Sequence, residues 1–160
     1  MANKYPEIEK MQQMAQSLRF SILDMVYRAG SGHIGGSFSI CEILAVLYEH
    51  VLNVDLKQPK APDRDRFVLS KGHAAPALYA LFAEKGVLSR AELSTLRQVG
   101  SRLQGHPDMN KVPGIEISSG SLGMGISFGI GTQIAAKLQG HNYRTYVLTG
   151  CGELDEGQNW

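Results

Sequence analysis

The chain has 160 residues, 43% of them hydrophobic and 19% charged, which suits a single globular domain with a buried core. Sixteen basic residues against 15 acidic leave a formal net charge of +1, so the charge balance gives no reason to expect nucleic acid or a membrane surface. Two cysteines, Cys41 and Cys151, are too few for a disulfide scaffold and match no zinc spacing. "MANKYPEIEK" lacks the apolar centre of a signal peptide, and no unbroken apolar run approaches the ~18 residues of a spanning helix. The expectation is a soluble, cytoplasmic protein.

Residues 1–6 read as a loose tail. From Ile8, apolar residues recur at Met11, Ala15, Leu18, Ile22, Met25 and Val26, the spacing of a helix with one buried face, and Gly30 suits its end. "GSGHIGGS", 30–37, reads as a polar glycine loop. Ser39 with Glu42 forms a capping-box signature for a helix to about Leu52. Residues 53–65 carry prolines and charge and read as a connection. "RFVLS", 66–70, predicts a strand, "KGH" a turn, and Pro76 the start of a helix ending near Gly86. Ser89 and Glu92 make a second capping box, for a short helix to about Val99. Residues 100–119 read as loop, 121–139 as a glycine-spaced helix and 144–149 as a strand. Short apolar strands separated by helices predict an α/β fold, with a parallel sheet covered by helices on both faces. Ligands in such sheets bind beyond the C-terminal ends of the strands, which places "SKGH" and "TGCGE" at one rim.

Four loops carry site-like chemistry. In "GSGHIGGS", small residues surround His33; this is either a close-approach loop or a flexible connector with an exposed histidine. In "SKGHAAPAL", His73 precedes a helix N-terminus, where free N–H groups favour anions; the alternative is a capping histidine, with Lys71 a solvated charge. In the third, His106 is held extended by Pro107, and five glycines interrupt the apolar stretch that follows. Gly120 and Gly123 read as ligand-side positions, with Leu122 at the same turn, and Gly125, Gly129 and Gly131 as packing positions. The fourth, "TGCGELDEGQ", reads either as a diphosphate and metal turn or as an ordinary strand-to-helix turn with solvated acids.

Together, "SGHIGG", "RDRFVLSKGHAAPALYALFAEKG", "LQGHPD", "GIEISSGSLGMGISFGIG" and "GCGELDEGQNW" resemble, in order and spacing, the transketolase family. The likeness runs from about residue 15 to residue 160. It implies a thiamine diphosphate-binding fold, with residues 1–160 forming the N-terminal, incomplete portion of the diphosphate-binding domain. It implies transfer of a two-carbon ketol group between sugar phosphates, with thiamine diphosphate and Mg²⁺ or Ca²⁺ as cofactors. "RDRFVLSKGH" favours this activity over that of the deoxyxylulose-phosphate synthases. The partners implied are a C-terminal part or subunit carrying the pyrimidine-binding domain, in an oligomer.

Residue by residue, the resemblance assigns His33 and His106 to substrate and catalysis and His73 to the cofactor diphosphate. Gly120, Ser121 and Leu122 match a cofactor-facing turn, in which many relatives carry proline at the position of Ser121. Gly152 matches a diphosphate contact, and Glu156 an acid at the interface between cofactor sites.

Two features depart from the family pattern. Cys151 stands where the family has an aspartate that binds the metal, and a thiol suits neither Mg²⁺ nor Ca²⁺. Either another oxygen substitutes, with Glu153 near enough to approach, or metal binding is weakened. The sequence also stops at Trp160, before the second metal ligand, the remaining strands and the activating glutamate. The expectation is a chain inactive by itself, with a non-catalytic remnant as the competing reading.

Overall fold

Helix α1, Pro6–Ala29, opens the computed structural model, which describes residues 6–160. The expected tail therefore lies outside the described residues, except for Pro6. Ala15, Leu18, Ile22 and Met25 are all buried, one per turn, and this stripe packs on the third and fourth helices. The chain leaves α1 at Gly30, whose φ of +59° lies in the left-handed region.

The glycine loop is more ordered than its composition predicts. Residues Ile34–Phe38 form a short helix, α2, because the Ser37 hydroxyl donates to His33 O at 2.8 Å and closes the first turn. Helix α3, Cys41–Val46, follows and widens into a π turn over Leu47–Val51. The Ser39–Glu42 capping box does not form. Ile40 is the N-cap, the Ser39 hydroxyl donates back to Gly36 O, and Glu42 turns outward to pair with Arg19 at 2.6 Å. The segment Ile34–Val51 reaches a mean hydropathy of 1.3, enough in length and composition to cross a membrane. It contains Glu42 and Glu49, however, and it packs Leu44 and Ala45 into the core.

Strands β1, Arg66–Leu69, and β2, Thr145–Leu148, pair in parallel, from Arg66 opposite Thr145 to Leu69 opposite Leu148. Phe67, Leu69 and Leu148 face the main core, where the Tyr48 ring meets Phe67 edge-on at 5.6 Å. Val147 points the other way, onto the last helix. The carboxylate of buried Asp65 fixes the strand entrance by accepting Asn53 N–H at 2.9 Å and Arg144 N–H at 2.7 Å. Helices on both faces of a small parallel sheet are the architecture expected.

Helix α4, Ala75–Glu84, carries Pro76 in its first turn and is buried without interruption from Ala75 to Phe82. It has no polar face because α1, α3 and the next turn surround it. The Ser89–Glu92 capping box is present in both directions, but the segment is a 3₁₀ turn, Arg90–Thr95, that stops short of Val99. Arg97 adopts a φ of +61°, which no helix continues. Helix α5, Met124–Gln139, starts three residues later than expected, because Gly123 holds the N-cap at a φ of +84°. Two 3₁₀ turns, Gly152–Asp155 and Gly157–Asn159, close the chain.

Candidate functional site

The parallel pairing brings the ends of β1 and β2 to one rim, as the strand order requires. A cavity of about 480 Å³ opens there. It is lined by Gly36 and Ser39, by Lys71 and His73 after β1, by Leu122 before α5, and by Gly150, Cys151, Gly152 and Glu153 after β2. A larger opening, of about 590 Å³, lies at the other end of the strands beside Asp65 and Arg144 and includes none of the four loops singled out in the sequence.

His73 sits in the 3₁₀ turn Gly72–Ala74 that links β1 to α4. Its ring meets that of His33, the N-cap of α2, edge-on with centroids 5.1 Å apart. The close approach of Gly36 makes this possible, since a Cβ there would lie 3.3 Å from His73 Nε2. Burial lowers the pKa of His73, and the neighbouring His33, Lys71 and His106 lower it further. The neutral ring, with one N–H donor, is therefore favoured near pH 7. His106 lies against Gly120, where a Cβ would come within 3.3 Å of its ring, and its carbonyl is in reach of the Tyr79 hydroxyl at 3.4 Å.

Of the residues singled out in the sequence, His73, Leu122, Cys151 and Gly152 line the cavity. His33 is joined to them through His73, and His106 to Gly120. Ser121 is exposed next to Leu122, whose carbonyl accepts from Gln158 Nε2. Glu156 is exposed beyond the turn and packs beside Gly123.

Three side chains read differently in the fold. Lys71 is not a solvated charge but is 7% exposed, donating to Gly36 O at 2.9 Å and to the Ser39 hydroxyl at 3.1 Å. Burial lowers its pKa, opposed by the nearby Cys151 and Glu153. Glu153, 3% exposed, does not approach Cys151 as a substitute metal ligand, because its carboxylate is committed inward. It accepts the Ser70 hydroxyl at 2.5 Å and Gly123 N–H at 2.9 Å on Oε1, and Gly150 N–H at 2.9 Å on Oε2. Ser70 also accepts Gly125 N–H at 3.1 Å. The sequence placed Ser70 inside the strand at 66–70 and gave it no role, whereas in the fold it is the first residue beyond β1.

The rim fits an anionic cofactor head. Gly152 has open space where a Cβ would project, and His73 and Lys71 line the same cavity. The Ser119 hydroxyl, packed against Gly72, is buried without a hydrogen-bond partner. The metal fits less well. Cys151 is an exposed free thiol, Glu153 is already engaged, and no cluster of three metal-ligating side chains occurs among the described residues. The donor set within these residues does not suit Mg²⁺ or Ca²⁺.

A parallel α/β fold with glycine turns and histidines at the strand ends defines a thiamine diphosphate-binding domain, and a family profile described as "Transketolase, thiamine diphosphate binding domain" matches residues 10–159. The chain belongs to the transketolase family and corresponds to its N-terminal part. It is 44% identical over 151 residues to an apulose-4-phosphate transketolase subunit of Phocaeicola vulgatus, covering 94% of this chain and 53% of that one. It is 43% identical to human transketolase, covering 97% of this chain and 25% of that enzyme. The crystal structure of transketolase from Campylobacter jejuni superposes with a TM-score of 0.88 at 37% identity, covering 94% of this chain and 25% of that one. The chain thus spans about half the length of the relatives that are separate subunits and about a quarter of the single-chain enzymes.

Proposed function

We propose that this chain supplies the diphosphate-binding side of a transketolase that moves a two-carbon ketol unit from a ketose phosphate to an aldose phosphate. The observation that carries this reading is the meeting of His33 and His73 beside Gly36, with His73 lining one cavity together with the glycine turn of the β2 end, and His106 beside Gly120. Thiamine diphosphate, when bound, supplies the nucleophilic carbon and the electron sink.

The chain's own residues bind and position. His73 donates its N–H to a diphosphate oxygen, and Gly152 lets the backbone approach that group. Leu122 provides an apolar contact at the turn, with Gly120 and Ser121 on the cofactor side. His33 and His106 hold substrate hydroxyls through hydrogen bonds to their ring nitrogens. Glu156 belongs to the contact between cofactor sites in the oligomer. The pyrimidine end of the cofactor is held by a C-terminal part or partner subunit. Relatives of the split type, in Phocaeicola vulgatus and in a Clostridium species, support that division. Their names, one for apulose 4-phosphate and one for 6-deoxy-6-sulfo-D-fructose, differ at nearly equal identity to this chain, so identity favours neither sugar. Any Mg²⁺ or Ca²⁺ in the complete enzyme draws oxygen donors from outside the residues described.

The test is an assay of ketol transfer with xylulose 5-phosphate, ribose 5-phosphate, thiamine diphosphate and Mg²⁺. The complete enzyme is expected to turn over and the 160-residue chain alone is not. An inactive complete enzyme that binds no thiamine diphosphate would refute the reading.

A further inference from the structure

We propose that Glu153 is the positioning residue that sets the diphosphate-facing turn Gly150–Gly152 against β1 and α5, an inference that rests on the cofactor reading above. Its carboxylate gathers three donors from three elements: the Ser70 hydroxyl at the end of β1, Gly123 N–H at the start of α5 and Gly150 N–H at the end of β2. Ser70 and Glu153 are 83 residues apart in the chain, and Gly123 and Glu153 are 30 apart, so no local turn preference holds these pieces together. The side chain points into the protein while its neighbours Cys151 and Gly152 face solvent at the cavity. The inward anchor therefore decides where the outward face of the turn lies.

The chemistry calls for an acceptor on both oxygens. Oε1 takes Ser70 and Gly123, and Oε2 takes Gly150. An amide of the same shape offers one oxygen and one NH₂ group, so either orientation sets NH₂ against a backbone N–H. A buried donor facing a donor is costly, and the strands and α5 are packed too tightly to absorb it, so the turn moves. Lys71 does not relieve the mismatch, because its ammonium group is committed to Gly36 O and Ser39. A carboxylate in this position is thus a geometric requirement of the turn.

The experiment measures thiamine diphosphate affinity by calorimetric titration, in Mg²⁺, on the complete enzyme and on its Glu153→Gln and Ser70→Ala variants. It also measures the apparent KM for thiamine diphosphate against kcat at saturating cofactor. Glu153→Gln is expected to weaken affinity by about tenfold or more, with kcat largely recovered at saturation. Ser70→Ala, which leaves the carboxylate and both backbone donors in place, is expected to weaken it less. A folded Glu153→Gln variant with wild-type affinity overturns the proposal. Should Glu153→Gln not fold, Ser70→Ala decides: weakened affinity supports the proposal and unchanged affinity overturns it. A wild type that binds no thiamine diphosphate refutes the cofactor reading, and the inference falls with it.

Discussion

Two glycines of α5, six residues apart, are expected to respond to the same substitution with opposite signs. A Cβ added at Gly125 would lie 2.2 Å from Ser70 Oγ and 2.4 Å from Ser70 Cβ, with the Ser70 Cα at 2.9 Å. Part of the obstacle is backbone, so a rotamer change does not clear it, and β1 and α5 must separate by about 1 Å. That motion also breaks the Gly125 N–H bond to the Ser70 hydroxyl and loosens the hydroxyl's bond to Glu153. Overpacking of this kind costs roughly 1–3 kcal/mol, and a buried polar group left unmatched adds about 1 kcal/mol or more. Gly131, on the exposed side of the same helix, has nothing within 4 Å of the added carbon. Alanine there removes backbone freedom from the unfolded chain and stabilises by about 0.5–1 kcal/mol. For a chain of this size, Gly125→Ala should lower Tm by roughly 5–12 °C, and Gly131→Ala should raise it by roughly 1–4 °C. Thermal and urea unfolding of the 160-residue chain measures both. Shifts of the same sign, or an unchanged Gly125→Ala protein, would refute the packing argument.

Two further outcomes concern the complete enzyme. His73→Ala is expected to weaken thiamine diphosphate binding by roughly ten- to a hundredfold, the worth of one hydrogen bond to a charged group, whereas His106→Ala should mainly raise KM for the donor ketose. Equal effects of the two on cofactor titrations would sink the division of roles. Cys151→Asp should tighten thiamine diphosphate binding at millimolar Mg²⁺ and weaken it when the metal is chelated, because a carboxylate suits the cation and otherwise repels the diphosphate. An affinity that does not change across Mg²⁺ concentrations would remove this turn from the metal site.

Much of the fold was legible because its signals were local. The buried stripe of α1, the strand beginning at Arg66, the proline in the first turn of α4 and the Ser89–Glu92 box each depend on residues a few positions apart. The Ser39–Glu42 signature failed because distant partners displaced it: Arg19 draws off Glu42, and Lys71 engages Ser39. The glycine pattern of α5 was legible only in part. Gly125 and Gly129, four residues apart, share the face toward Ser70 and Val147, whereas Gly131, two residues further on, turns to open space, a difference the 3.6-residue period carries once the helix is known. At the site, the loops with histidines stood out because small residues surrounded them. Glu153 stood out only as an oxygen that could approach Cys151, and Ser70 only as part of a strand, since their pairing spans 83 residues of chain. The alternative of a solvated Lys71 could not be dismissed from the sequence for the same reason, as its acceptors belong to a different loop.

The pairing of β1 with β2 has a consequence for how the protein comes to be made. Asp65 at the mouth of β1 and Arg144 at the mouth of β2 are 79 residues apart, and every rung of the ladder repeats that span. Closing a loop of this length costs about 4 kcal/mol of chain entropy before any rung offsets it. During synthesis, β1 leaves the ribosome long before its partner exists, and α1, α3 and α4 can gather around Phe67 and Leu69 in the meantime. The rim with its histidines and glycine turn can close only when nearly all of the first 150 residues have emerged. The rim is thereby a late part of the molecule to form, and a chain ending before Thr145 would lack β2 and the glycine turn that line it.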